Sequence, residues 1–472
     1  MKTSVKVTMV LVSVFFVVLI AAYTYFSPIF EVGTGYAAKI LCSSAYVSGR
    51  EYKDIINQDL DMPGISRFNT RLVKEERAAE ASFLGIFKSR AIFRPGLGCT
   101  LCVDGVSEIE LRQEAMGIRE PDPTQSDEIW PEGKAVSDHM SLSKKLASAL
   151  DMAFDENSEA LRRTRAVVIV YNGRIVAERY APGITKDTPL LGWSMTKSVT
   201  NALVGILVKE NKLDLAQTDL MPQWRKEGDP RSNITLDQLL RMSSGLAFLE
   251  AYEEPITSDV NKMLFTASSA SDFAAEKPLE AEPGSKWYYS SGTTNIIARI
   301  ARDAAQMSQT EWFRFPKEAL FDKIGMKSAV LEPDPSGNFV GSSYMYATAR
   351  DWARFGLLYL NDGVWSGERI LPEGWVAYST TPTPHTEPGQ AYGAQFWLNH
   401  PNPQRRISFL PDDAFMALGH ECQAVVIIPS RNAVVVRLGL YRGPDFEAPL
   451  DFIENVLQIL PPVEDHPKPE TI

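Results

Sequence analysis

The chain has 472 residues, of which 44% are hydrophobic and 23% charged, an ordinary globular balance with enough length for a full core in two or three domains. A formal net charge of −11 argues against a nucleic-acid binder, which needs a basic face, and there is no polybasic patch for anionic lipid. Five scattered histidines, with no second CxxC and no HxxxH, argue against a zinc site.

From the N-terminus, Lys2 and Lys6 precede VTMVLVSVFFVVLIAAYTYF, residues 7–26, a run without a charge. At ~1.5 Å per residue it matches the ~30 Å apolar thickness of a bilayer. The flanking lysines favour a cytoplasmic N-terminus. A cleaved signal peptide is the alternative, but its apolar core is usually about 7–15 residues long, and no A-x-A site follows here. Both readings put nearly all of the chain outside the cytoplasm (the periplasm in a Gram-negative cell). Of the four cysteines, Cys42, Cys99 and Cys102 are candidates for one disulfide there, with Cys42 joined to either of the other two. Cys99-Thr-Leu-Cys102 has redox spacing, yet GCTLCV reads as a strand, not a helix start.

Residues 27–60 read as a polar, mixed segment. RLVKEERAAEASFLGIF, 71–87, reads as a charged helical patch, and the proline- and acid-rich 119–133 as a loop or linker. SLSKKLASALDMAF, 141–154, has helical apolar spacing. RAVVIVYNGRIVAERY, 165–180, predicts a hairpin, since two β-branched runs flank the turn pair Asn172-Gly173. An amphipathic helix starts at Ser194. ITLDQLLRMSSGL, 234–246, predicts a short helix ending at Gly245. Further helices are expected over 296–305 and 348–360, the latter capped by Thr348 with Asp351. QAVVIIPSRNAVVVRLGL, 423–440, reads as two strands around a Pro-Ser-Arg-Asn turn, and 451–460 as a last helix. Strands at both ends and helices between them imply an α+β fold. One antiparallel sheet, built from both ends of the region and flanked by helices, carries an inserted helical subdomain, all preceded by an N-terminal transmembrane helix.

A serine hydroxyl needs a base to become a nucleophile, and lysine serves only when burial or positive potential disfavours its ammonium. In GWSMTKSVT, 192–200, Ser194 and Lys197 share one face at a helix start. Free N–H groups and the positive end of the helix dipole lie beside them, where an oxyanion could bind. The tetrapeptide alone decides little: Ser141 and Lys144 have the same spacing, and one copy reads equally as a cap with a solvated lysine. Two later segments set Ser194 apart, PGSKWYYSSGTTN at 283–295 and GHECQ at 419–423, directly before a strong strand.

With these motifs in this order, residues 140–460 resemble the serine β-lactamase and penicillin-binding protein superfamily. The likeness is to its class C branch, with the related esterases and 6-aminohexanoate-dimer hydrolases; RMSSGL, 241–246, matches the stretch between the first two motifs. The resemblance implies that Ser194 is acylated, that Lys197 helps remove its proton, and that Tyr289 shuttles a proton to the leaving group. It puts Ser291 at the third place of the tyrosine motif and His420 where the family has the lysine of Lys-Thr-Gly. The oxyanion hole would be the N–H groups of Ser194 and Gln423, and Tyr252 would contact substrate. Each also has a plainer reading: Tyr289 and Tyr252 as packing, His420 as a satisfied turn residue, Cys422 as an inert small residue. His-Glu-Cys in place of Lys-Thr-Gly removes a fixed positive charge, and Ser291 replaces an asparagine. Both changes disfavour β-lactams and suit a small ester or linear amide. No metal or organic cofactor is implied.

Two rivals stand beside that reading: a D-alanyl-D-alanine peptidase or β-lactamase, and a non-catalytic binding protein that keeps the fold. The α/β-hydrolase elbow does not fit, because Thr196 occupies its last glycine position. The expected division is 1–6 cytoplasmic tail, 7–26 transmembrane signal anchor, 27–135 extension, 136–460 catalytic domain and 461–472 tail.

Overall fold

Asn172 and Gly173 both take left-handed φ, 49° and 73°, and the hairpin they close, Thr164–Tyr171 with Arg174–Tyr180, forms one side of the main sheet. The computed structural model describes residues 2–122, 126–136, 140–156, 161–401 and 403–462; most of the expected C-terminal tail lies outside them. The main sheet has six antiparallel strands in the order 397–398, 415–419, 423–428, 433–439, 164–171, 174–180. It is therefore built from both ends of the region, with helices inserted between. Val168, Val170, Val434 and Val436 face one core, and Val167, Ile169 and Val435 face the other. Burial on both faces explains why these strands read as unbroken apolar runs.

Helices Met140–Ala153 and Phe452–Ile459 cover one face; Ala349–Leu360 and Met195–Lys209 lie against the other. Gly356 lets the third of these approach closely, since a Cβ there would sit 2.6 Å from Val434 Cγ1. Helix 195–209 is buried from Met195 through Leu207, so it runs through the core with no solvent face.

Several expectations are corrected. The helical patch at 71–87 is β-structure: strands Asn69–Val73, Ala78–Phe83 and Phe87–Arg94 join Gly98–Leu101 in a four-stranded antiparallel sheet. Its charges are cross-strand pairs, because Arg71, Glu80 and Arg90 stand opposite one another and form ion pairs. The alternating Ala79, Ala81 and Ala91 pack inward. Alanine-rich sequence suggested a helix, and pairing overrode that preference. The polar segment at 27–60 is also revised. One helix runs unbroken from Lys2 to Tyr46, and its second half is buried. Its small residues allow close contact: a Cβ on Gly35 would meet the Phe265 carbonyl at 2.3 Å. Among the described residues this is the one helix long and apolar enough to cross a membrane.

The helix expected to end at Gly245 stops at Leu240, and Met242 is left-handed at φ 59°. The helix expected from 296 begins at Ser291, inside the tyrosine motif. Cys42 pairs with Cys99, while Cys102 is free. Of the stretch 119–133, residues 123–125 lie outside the described residues; its end packs against the domain, with Trp130 buried and the Pro131 and Gly133 carbonyls accepting from Arg354.

Candidate active site

Ser194 sits at the N-terminus of helix 195–209, and its side chain caps nothing. The residue before it, Trp193, is left-handed at φ 48°, an uncommon and costly conformation for a bulky side chain. That turn is clamped: a Cβ on Gly192 would strike Trp352 at 2.4 Å, and one on Gly419 would strike the Gly192 carbonyl at 2.2 Å. Among the described residues no protein acceptor meets the Ser194 amide N–H, so it remains open at the helix start.

One turn on, Lys197 is buried at 1% exposure, and its Nζ donates to Ser194 Oγ (2.9 Å), Ser291 Oγ (2.9 Å) and the Ser342 carbonyl (3.2 Å). Among the described residues no carboxylate is bonded to it. Burial lowers its pKa to about 8, with the charge of Glu250 acting weakly the other way. Its partner Ser291 opens helix 291–305, which is why that helix must start five residues earlier than expected.

Glu250 was not singled out from the sequence. Its Oε2 accepts from the Ser291 amide (2.7 Å), and its Oε1 from Ser291 Oγ (2.5 Å) and the Tyr252 hydroxyl (2.9 Å). A carboxylate at a helix N-terminus is well placed against the dipole. The one signal available was its position two residues before Tyr252, in an acid-rich loop. Ser342, which closes the lysine's donor set, had no sequence signal.

Tyr289 lies just before the Ser290 cap of the same helix, with Lys197 Nζ 4.8 Å from its ring centre and Trp397 stacked on it at 5.1 Å. Burial, then the charge of Glu250, raise its phenol pKa, and the nearby Ser194 side chain offsets part of that. It is a neutral phenol at pH 7. Arg406 lies over the other partner, Trp397, at 3.7 Å from the ring centre.

The third motif forms a tight turn between strands 415–419 and 423–428. His420 stacks on Tyr252 at 5.0 Å and meets Trp193 edge-on at 5.6 Å. Burial lowers its pKa, so no fixed positive charge stands where Lys-Thr-Gly would supply one. Glu421 and Cys422 are left-handed, φ 58° and 62°. The Cys422 thiol turns away to the Phe446 carbonyl, and Glu421 pairs with Arg442. The Gln423 side chain binds both backbone groups of Gly439, so only its amide could serve a ligand. Ala251, Tyr252, Glu253, Glu254 and His420 line an open mouth of about 490 Å³.

The site therefore joins Ser194, Lys197, Ser291 and Tyr252 by hydrogen bonds, sets Tyr289 beside them and places His420 at the mouth. The second SxxK differs: Lys144 is exposed on helix 140–153. Among the described residues no group of three His, Cys, Asp or Glu side chains is arranged to hold a metal ion.

The profile of the Beta-lactamase family matches residues 151–457. The 6-aminohexanoate-dimer hydrolase of Paenarthrobacter ureafaciens is 24% identical over 303 residues, 60% of this chain and 74% of that protein. Among solved structures, one provisionally assigned as a 6-aminohexanoate-dimer hydrolase from Bacillus anthracis superposes with a TM-score of 0.57 at 24% identity, covering 76% of this chain and 97% of its own. A family VIII carboxylesterase does so at 0.52 and 16% identity, covering 69% and 99%.

Proposed function

The chain belongs to the Beta-lactamase family, and from that premise we propose that it is a serine hydrolase that cleaves a small ester or linear amide through an acyl-enzyme on Ser194. The observation that carries this reading is Lys197, held between Ser194 Oγ and Ser291 Oγ with its pKa lowered to about 8. Near neutrality a useful fraction of the amine is unprotonated and in contact with the serine hydroxyl.

Neutral Lys197 takes the Ser194 proton as Oγ attacks the substrate carbonyl. The open Ser194 amide, with that of Gln423, receives the oxyanion. Tyr289 is too weak an acid to be the base; as a neutral phenol it passes a proton from Lys197 to the departing amine or alkoxide. Water then attacks the acyl carbon, returns a proton to Ser194 through the same groups, and the acid leaves. Glu250 holds Ser291 and Tyr252 in place. Neutral His420 and the acidic mouth at Glu253 and Glu254 disfavour a substrate carboxylate on that side.

We place the catalytic domain outside the cytoplasm, anchored by residues 7–26. Ser194→Ala is expected to abolish turnover of p-nitrophenyl esters and short linear amides, by about 10,000-fold or more, and labelling by a fluorophosphonate probe. Retained labelling in that variant would sink the assignment.

A further inference from the structure

The loop Leu84-Gly85-Ile86 closes the hairpin between strands 78–83 and 87–94 in an unfavourable way for a loop in water. Leu84 is left-handed at φ 52°, where asparagine or glycine fits and leucine is strained. Its side chain is 71% exposed, and Ile86 is 64% exposed. Solvent and local conformation both disfavour the residues found there.

The loop's neighbours suggest what covers it. Phe83 and Phe87, which flank it, stack on the N-terminal helix: Phe87 on Tyr23 at 5.7 Å and Phe83 on Phe30 at 4.3 Å. Tyr23 and Phe30 are seven residues apart, ~10 Å along the axis. The hairpin tip is thus pinned beside the helix where the uncharged run of residues 7–26 ends. Tyr23, Tyr25 and Phe26 are themselves 53%, 71% and 46% exposed there, an aromatic group of the kind that marks a membrane interface. Between Glu80 and Asp104 the chain has no acidic residue, while Lys88 is exposed beside the tip.

We propose that Leu84 and Ile86 insert into the headgroup–acyl boundary of the leaflet from which the N-terminal helix emerges. The hairpin is then a second membrane contact that fixes how the catalytic domain faces the bilayer. This rests on the reading that residues 7–26 cross the membrane. With the helix alone, helix and domain could turn and tilt together against the bilayer. A second point of insertion, joined to the helix by two aromatic stacks, removes that freedom and sets the site mouth at one height above the lipid.

The test uses the full chain reconstituted in vesicles of phosphatidylethanolamine and phosphatidylglycerol. Ile86→Cys, Val14→Cys and Lys226→Cys are spin-labelled one at a time, with the unsubstituted chain measured as the background from Cys102 and Cys422. Collisions with oxygen and with a water-soluble nickel chelate report depth. The label at 14 is expected deep in the bilayer, that at 226 in water, and that at 86 several-fold more accessible to oxygen than to nickel. Nickel access at 86 equal to that at 226, with 14 deep, overturns the hairpin contact and leaves the anchor standing. A label at 14 that reads as aqueous overturns the anchor and this inference with it. Dipolar broadening between labels at 86 shows a second copy of the chain on the loop in place of lipid, and also overturns it.

Discussion

Among the described residues two lysines lie fully inside the protein, Lys39 and Lys197, and their surroundings differ. Lys197 at the site donates to two serine hydroxyls and a carbonyl, and no carboxylate touches it. Lys39, in the buried half of the N-terminal helix, also has three acceptors: the Cys99 carbonyl (2.6 Å), Ser43 Oγ (3.2 Å) and Glu332. Glu332 in turn accepts from Ser43 Oγ and the Cys99 amide. Burial lowers both lysine pKa values, but Glu332 pulls that of Lys39 back up by charge and hydrogen bonding. The contrast teaches that burial alone does not make a base. What matters is whether the countercharge is in contact, as at Lys39, or one hydroxyl removed, as Glu250 is behind Ser291. The first arrangement ties helix, sheet and disulfide to the catalytic domain; the second leaves an amine that can lose its proton.

The sharpest way to break this comparison is to replace each lysine by its apolar near-isostere. Lys197→Met is expected to lower kcat/KM for a p-nitrophenyl ester by about 1,000- to 10,000-fold with little change in fold. Lys39→Met leaves Glu332 buried without its countercharge and is expected to cost ~3–5 kcal/mol in denaturant unfolding. Activity per folded molecule should stay near that of the parent. A stable, inactive Lys39→Met would undo the division of labour.

Next in size is Tyr289→Phe, which removes the proton relay but keeps the stacking on Trp397; a drop of about 100-fold in kcat is expected, with a smaller change in KM. The smallest effect is on pH. With Lys197 as the proposed base its reactive form is the neutral amine, so kcat/KM is expected to rise up to tenfold per pH unit on the acid side and level off above about 8. Glu250→Gln, by removing the charge that favours the ammonium, should move that midpoint to lower pH; an unmoved profile would argue against Lys197 as the base.

The chemistry was legible where it is local. Ser194 and Lys197 need only one helical turn to meet, Asn172-Gly173 needs only its own backbone, and Thr348 caps its helix by accepting from the Asp351 amide. The Asp351 carboxylate, however, turns to Ser328 and Arg354 and does not close a capping box. Tyr289 stood out only through the resemblance, which puts a tyrosine motif at that place in the chain. Glu250 and Ser342 did not, because nothing in their neighbours' spacing links them to Lys197 across the chain. The extension misread for the same reason. Arg71, Glu80 and Arg90 look like helix-surface charges until a neighbouring strand stands opposite them. Gly33 and Gly35 lie in the segment read as polar and mixed, and their lack of side chains matters only once Phe68 and Phe265 lie against them.

By itself, then, the amino-acid sequence determined the pairing of Ser194 with Lys197, the order of the motifs and the apolar runs of the main-sheet strands, because the first needs only one helical turn and the others are read directly along the chain. Tertiary structure alone decided which buried lysine has a carboxylate in contact and which does not, what fills the space beside Ser291, and that residues 27–46 are a helix packed into the fold from Val32 onward. Those outcomes depend on desolvation and on partners from 41 to 293 residues away, which local preference does not encode.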